Sequence, residues 1–457
     1  METSGVLQEC RELLYQEPSP EVWKRLWKMF QRLRGADDLD VVLDYAQERL
    51  ESWPDELRAI YLEEPEFVEA FVEEPARGLV RHLTCAGNTL NLRVLNVLLS
   101  DPWCAQLTML CLQSNPLGPE GARVLASCPW LGKLRHLWVG FCFLGAEGVE
   151  AIASSPHLTG LTHLYMALTR CGNAGAQALA ASENFSRLVW LVMDFADLDP
   201  VGVEAIASSP NLGSLERLSL WGNGVGDEGA RALARSTNLP ALTHLWLDKC
   251  EIGDEGAQVL AESPHLTGLV ALSLNKNRLG DVGAWALSVA AGLANLESLS
   301  VSDNALGAAG ARWLAGARLG RLKILRAHRA PFGNEGAQRL AMNPHMAALT
   351  ELYLSECGIE GPGVKALAAS PHLANLEALG LGESAVGDEG AIAIAKSDTL
   401  TRLTQLRLSN ARIGDEGAKA LAASANTNPL KLLWFGGNPL TPEGVGLMGE
   451  VPGCILD

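Results

Sequence analysis

Apolar positions return along this chain in one fixed frame. Leu215-Glu216-Arg217-Leu218-Ser219-Leu220-Trp221-Gly222-Asn223 reads LxxLxLxxN, and the frame recurs at Leu107, Leu134, Leu161, Leu188, Leu242, Leu269 and Leu296. It continues at Leu322, Leu349, Leu376, Leu403 and Leu430. Each start follows the last by twenty-seven positions, as Leu134 follows Leu107, and only Leu322 comes one position early after Leu296. One step back from Leu107 lies Val80, with Leu83, Cys85 and Asn88 in frame, so fourteen units fill residues 80–457. A period of this length predicts a solenoid in which each unit buries its apolar face only against its neighbours. The alternation LxL predicts a short strand with its second and third leucines inward. Positions three, five and seven then face the other way.

The second half of each unit predicts a helix. Gly226-Asp227-Glu228-Gly229-Ala230-Arg231-Ala232-Leu233-Ala234 recurs as Gly253 to Ala261 and as Gly414 to Ala422. Parallel strands pair ~4.8 Å apart, whereas a helix is ~10 Å wide, so the stack must bend with strands inside and helices outside. Asn at position nine (Asn88, Asn115, Asn223, Asn277, Asn304, Asn438) is placed to bond the backbone of the turn after the strand. Cys142, Cys250 and Cys357 take the same place. The Asp of GDEG is expected to cap the helix that follows it, with the Glu adding favourable charge. Position fifteen is Gly in units two to fourteen, from Gly121 to Gly444; a helix start pressed on the strand layer is expected to leave no room for a side chain. The pairs Ser155-Pro156, Ser209-Pro210, Ser263-Pro264 and Ser370-Pro371 are expected to end helices. Near-copies of GDEG throughout the array imply a structural duty, and they are set aside as metal or catalytic carboxylates.

This pattern resembles the leucine-rich-repeat family, and within it the ribonuclease-inhibitor-like subclass with a helix in every unit. The resemblance implies an α/β solenoid: a curved horseshoe with an inner parallel β-sheet and outer α-helices. It also accounts for the alternation of Asn and Cys at position nine. For function it implies less, because the subclass includes inhibitors, immune sensors and GTPase activators.

Residues 1–79 lie outside the repeat and read as a small helical cap domain over its first unit, with 80–457 as the leucine-rich-repeat domain. Glu21 to Phe30 reads as an amphipathic helix begun by Pro18-Ser19-Pro20, and Asp38 to Trp53 as another. Pro54-Asp55-Glu56-Leu57 is expected to open a third, and Phe67 to Phe71 belongs to a fourth. The cap segment holds nine Lys and Arg against nineteen Asp and Glu, so most of the net charge of −17 sits there. Glu63, Glu64, Glu66, Glu69, Glu73 and Glu74 form the one charge run. It reads as a solvated helix face, with docking of a basic partner as the alternative.

The acidic balance argues against nucleic acid or an anionic membrane as the main partner. No apolar run approaches the ~20 residues that span a bilayer, and the first residues lack a basic-then-apolar leader. The expectation is a cytoplasmic protein. Ten cysteines without a CxxC read as reduced thiols. Cys454-Ile455-Leu456-Asp457 outlines a prenylation box, but Asp is a poor last residue for one and Cys454 matches the core place of Leu239 and Leu266. The sequence shows no Walker loop, HExxH or GxSxG elbow. No enzyme, cofactor, metal or catalytic residue is therefore expected.

The candidate site lies on the inner strand face of units three to seven. Position three supplies His136, His163, Trp190, Arg217 and His244; position five supplies Trp138, Tyr165 and Trp246; position seven supplies Asp194, Trp221 and Asp248. Phe141 and Phe195 stand on the rim. Rings stacked along one face and left open mark an interaction site, and Trp, Tyr and Arg are the residues richest in binding hot spots. The alternatives are cover by the cap, pairing of two copies, or ladder packing alone. His136 and His163 could share a metal only with ligands the sequence does not supply. Arg326, His328, Arg329 and Arg407 form a second, basic patch, read as solvated surface with anion binding as the alternative.

The preferred reading is a non-catalytic scaffold, an adaptor, sensor or inhibitor, that binds a protein or peptide as a monomer. A GTPase activator is the second reading, by fold analogy alone. A structural module that pairs with a second copy to form a homodimer is the third.

Overall fold

A computed structural model describes residues 3–425 and 430–456. The chain forms two compact units: Met1–Leu198 with Ser208–Leu215, and Asp199–Ala207 with Glu216–Asp457.

The first unit begins with three helices, α1 (Thr3–Leu14), α2 (Pro20–Arg32) and α3 (Leu39–Leu50). Ser19 caps α2 by accepting from Val22 N at 3.3 Å. Strand β1 (Ala59–Leu62) and helix α4 (Pro65–Val72) follow. The sequence assigned no element before Pro18 and a helix from Pro54. The structure has α1 there, and only a 3₁₀ turn over Asp55–Leu57 before β1. The physical reason is the neighbour: the Arg58 carbonyl takes the N–H groups of Arg81 and His82 at 3.0 and 3.2 Å, which draws the next residues into the sheet. Trp23, Trp27, Phe71 and Trp103 form a chain of ring contacts, with centroids 5.3–6.0 Å apart, that joins α2 and α4 to the first repeat. In the acidic run Glu63, Glu64, Glu66, Glu69 and Glu73 are exposed and Glu74 is buried.

The repeats of this unit supply β2 (His82–Cys85), β3 (Met109–Cys111), β4 (His136–Trp138), β5 (His163–Tyr165) and β6 (Trp190–Val192), each followed by a helix. Strands β1 to β6 pair in parallel and in chain order. The second unit holds β7 (Arg217–Ser219), β8 (His244–Trp246), β9 (Ala271–Ser273), β10 (Ser298–Ser300), β11 (Ile324–Arg326), β12 (Glu351–Tyr353), β13 (Ala378–Gly380), β14 (Gln405–Arg407), β15 (Leu432–Trp434) and β16 (Cys454–Ile455). These too pair in parallel, each with the next. In each unit parallel strands alternate with helices, repeat by repeat. Because the step is constant, position three stands beside position three. At the single shorter step the register holds, with Ser298 beside Ile324. Cys454 is half-buried on β16 beside Leu433, in a strand and not at the core place of Leu239 and Leu266.

Three kinds of side-chain bond tie repeats to the one before. Asn115 Nδ2 donates to the carbonyls of Cys85 at 2.7 Å and Leu112 at 2.9 Å, while its Oδ1 accepts from Leu90 N at 2.8 Å. Cys142, Cys250 and Cys357 donate their thiols to the carbonyls of Leu112, Leu220 and Ala327 at 3.0–3.1 Å. Burial pushes the Cys142 and Cys357 thiols up to about 12, which keeps them protonated donors at neutral pH. No disulfide forms among the described residues. The serines of the Ser-Pro pairs do more than precede proline: Ser155, Ser209, Ser263 and Ser370 donate to Ala126, Ala180, Ala234 and Ala341 of the preceding repeat at 2.5–2.6 Å.

The third kind corrects an expectation. Asp227 does not cap its own helix. Its Oδ1 accepts from Gly253 N at 2.7 Å and Gly256 N at 3.0 Å, at the start of the next one. Asp254, Asp281 and Asp388 repeat this toward Gly280, Gly307 and Gly414, and Asn334 does so toward Glu360. The Asp also crowds position fifteen of the next repeat: a Cβ on Gly256 would stand 2.5 Å from Asp227 Oδ1 and 2.7 Å from Ile252 Cγ2, whereas at Gly229 and Gly390 the nearest atom belongs to Val225 or Val386 of the same repeat, at 2.7 and 2.6 Å. Where the preceding repeat offers no Asp or Asn, position twelve is a glycine in the left-handed region, φ 55–65° at Gly118, Gly145, Gly172, Gly226, Gly333 and Gly387. These glycines donate forward instead, to the carbonyls of Cys142, Thr169, Ala196, Cys250, Cys357 and Ala411. Glu360 and Thr441 fill position twelve only where a preceding Asn334 or Asp415 holds the backbone.

Candidate functional site

The sequence candidates fall in two sets. In the first unit Leu137, Leu164 and Leu191 enter the core and turn their neighbours to the opposite face. His136, His163 and Trp190 share one register there, and Trp138, Tyr165 and Val192 the next. The His136 and His163 ring centroids are 4.2 Å apart, Trp190 meets His163 edge-on at 5.8 Å, and Trp138 lies 6.1 Å from Tyr165. The Tyr165 ring covers Gly140, where a Cβ would stand 2.5 Å from Cε1; only glycine lets the ring lie flat across the strand. All five rings are half-buried. Burial, then the charge of Asp194, pushes the Tyr165 phenol up.

One residue of this row escaped the sequence reading. His82 on β2 lies 6.3 Å from the His136 ring. It occupies the same register two strands away. It precedes His136 by two whole repeats, a spacing visible in the sequence. At the turn after the strand, Phe141 and Phe195 hold left-handed backbone, φ 59° and 49°. Other repeats put Lys249, Lys276, Asp303 or Glu356 there. This conformation disfavours bulky side chains by ~1–2 kcal/mol, and Phe141 is 43% exposed.

In the second unit Arg217 stands beside His244 and Ser219 beside Trp246. The His244 and Trp246 centroids are 5.7 Å apart, and Trp221 is exposed. Thr243 Oγ1 donates to the Glu216 carbonyl at 3.1 Å and lies 2.8 Å from His244 Nδ1. Thr162 and His163 repeat the arrangement on the Arg135 carbonyl.

Asp248 serves the fold. Its Oδ1 accepts from Ser273 Oγ at 2.6 Å and Asn275 N at 3.0 Å. Asn275 Oδ1 accepts from Ser302 N, Ser302 Oγ from His328 N, and His328 Nδ1 from Ser355 N at 3.2 Å. Position seven thus makes a ladder of acceptors for the next strand.

His82, His136, His244 and His328 are all held below the usual histidine range, with burial the first cause. At His328 the carboxylates Asp303 and Glu356 oppose burial while Arg407 and Arg326 reinforce it, and Tyr353 packs on the ring. The unfolded chain therefore binds protons more readily below ~6.5, so stability is full above that pH and falls as pH drops through it. Urea midpoints should be lower at pH 5.5 than at 7.5, and His328→Gln should narrow the gap. Equal midpoints in the unaltered protein would exclude this linkage.

Among the described residues no three His, Cys, Asp or Glu side chains are grouped to hold a metal ion. No described helix is long and apolar enough to cross a membrane.

A leucine-rich-repeat family model matches residues 214–234, 238–261, 265–288, 292–315, 345–368, 372–395 and 399–422. No curated protein sequence matches the chain. Among solved structures, an internalin from Listeria monocytogenes is similar at 17% identity and a TM-score of 0.46, over 86% of this chain and 94% of that one. The yeast Rad7–Elc1 complex contributes a chain at 14% identity and 0.43, over 95% and 96%. A chain of the TLR13–ssRNA13 complex stands at 18% identity and 0.36, over 81% and 57%.

Proposed function

We propose that this chain, a leucine-rich-repeat protein, is a non-catalytic scaffold of the ribonuclease-inhibitor-like kind, with a helix in every repeat, that binds a protein or peptide on its open strand face. The observation that supports it most is the half-buried set His136, Trp138, His163, Tyr165 and Trp190 on one strand face, in which His136, His163 and Trp190 make one chain of ring contacts and Trp138 and Tyr165 a second pair. Rings of this kind gain most when a partner removes the remaining water. Phenylalanine at the strained turns of the same repeats, Phe141 and Phe195, adds apolar rim to that face. Arg217, Trp221, His244 and Trp246 extend the reading to the second unit, with Asp248 behind them as support. Residues 1–79 close the first repeat as a cap, and buried, protonated thiols at the turns fit a reducing compartment such as the cytoplasm.

The test is capture of a partner from lysate of the source organism, repeated with Trp138, Trp190 and Trp246 changed together to Ala. Capture of the same protein should fall at least tenfold while the far-UV spectrum is kept; undiminished capture would rule the face out. Light scattering separates the self-pairing alternative, since a monomer at all concentrations excludes it.

A further inference from the structure

A second cluster stands on the strand face of the second unit, and its membership differs from the basic patch legible in the sequence. Arg329 does not belong to it: its guanidinium is held by Asp303 at 2.6 Å and Glu356 at 2.9 Å. Arg326 is held by Glu351 at 2.8 Å. Arg407 is different. It is exposed, and among the described residues no carboxylate lies within ion-pair distance of it. Aromatic rings hold it instead. Its guanidinium carbon is 4.5 Å from the Trp434 ring centroid and 5.3 Å from that of Tyr353.

The strand register explains how two rings two and one strands away reach it. Tyr353, Gly380, Arg407 and Trp434 occupy one row on β12 to β15. Gly380 has no side chain, and the Tyr353 ring leans across it: a Cβ there would stand 2.7 Å from Cδ1. Gly382, one register on, has no side chain either: a Cβ there would stand 3.0 Å from the Ser409 carbonyl oxygen and 3.8 Å from the Ser355 hydroxyl. Arg326 approaches the same tyrosine ring at 5.3 Å. The result is an exposed guanidinium seated against two aromatic rings, with no carboxylate among the described residues within ion-pair distance.

We propose that this ring-held guanidinium binds a carboxylate side chain of an acidic peptide, with Arg407 giving a two-pronged hydrogen bond and Tyr353 and Trp434 fixing the guanidinium plane. A planar fork matches a carboxylate in both charge and geometry, and aromatic faces favour the cation without competing for its N–H donors. One uncompensated charge suits a single carboxylate. A nucleic-acid backbone needs several cations at phosphate spacing, and here Arg326 and Arg329 are already paired with Glu351, Asp303 and Glu356. None of these residues belongs to the aromatic sets above, so the two sites succeed or fail separately.

The probe is a fluorescein-labelled hexaglutamate peptide, followed by anisotropy with the full chain at low salt. Saturable binding is expected, weakened at least tenfold by Arg407→Gln. Arg407→Lys, which keeps the charge but loses the fork, should recover only part of it. Arg402→Gln, whose side chain bonds Asn375 elsewhere, should bind as the unaltered protein does. The proposal is overturned by absence of saturable binding, by an Arg407→Gln affinity within twofold of the original, or by a single-stranded oligonucleotide that binds more tightly than hexaglutamate.

Discussion

Asn115→Ala is expected to destabilise the protein by about 2–4 kcal/mol, whereas Asn115→Cys should cost no more than about half as much. Asn115 is fully buried and its amide reaches three carbonyls, those of Cys85, Leu112 and Gln113, and one N–H, on its own repeat and the one before. Alanine removes all of these bonds in a place water does not enter. Leu112 O keeps a partner, because the Cys142 thiol also donates to it. Leu90 N and Cys85 O lose theirs, and an unmet buried group costs ~1–3 kcal/mol. Cysteine already does half of this work elsewhere in the array, since Cys142, Cys250 and Cys357 each reach the carbonyl one repeat back. Urea midpoints by circular dichroism decide the matter. Equal losses for Ala and Cys would show that the carbonyl bond contributes little.

Gly256→Ala is expected to cost about 2–3 kcal/mol, within the range for overfilling a tight site. The new methyl would meet the Asp227 carboxylate of the preceding repeat and Ile252 of its own. Asp227→Ala alone should cost about 1–2 kcal/mol, the usual loss on removing a helix cap. The diagnostic is the pair. Since Asp227 Oδ1 is the closest obstacle, the double variant should be destabilised less than the two singles together, by about 0.5 kcal/mol or more. A double variant that simply adds, with the helix Asp254–Ala261 exchanging its amides no faster after Asp227→Ala, would mean that the carboxylate is no cap.

The repeat and its register are legible in spacing, because a constant period fixes which residues stand side by side. That is why the sequence alone places His136, His163 and Trp190 in one row. What spacing could not give was the direction of a bond. Asp227 sits at the start of a helix, and within one repeat the natural partner is its own backbone; only stacking shows that the next repeat is closer. Strand β1 was missed because Ala59-Ile60-Tyr61-Leu62 lacks the LxxLxL frame, and it is a strand only because β2 offers an edge. Arg329 and Trp434 changed places in the basic cluster for a related reason. Charge is visible in a sequence, but whether a neighbour cancels it depends on side chains in the adjoining repeats, as Asp303 and Glu356 do for Arg329.

The two kinds of helix start lean in opposite directions along the chain, and this creates natural seams. Just before Leu322, the helix behind the seam is held from further back, through Asp281 to Gly307, while the one ahead is held from further on, through Gly333 to Cys357. The same holds just before Leu376, where Asn334 secures Glu360 and Gly387 reaches Ala411. Just before Leu242, by contrast, both the Gly226–Cys250 and Asp227–Gly253 bonds cross. Deletion, duplication or splicing of repeats by an evolving gene would meet least resistance at the first two junctions and most at the third.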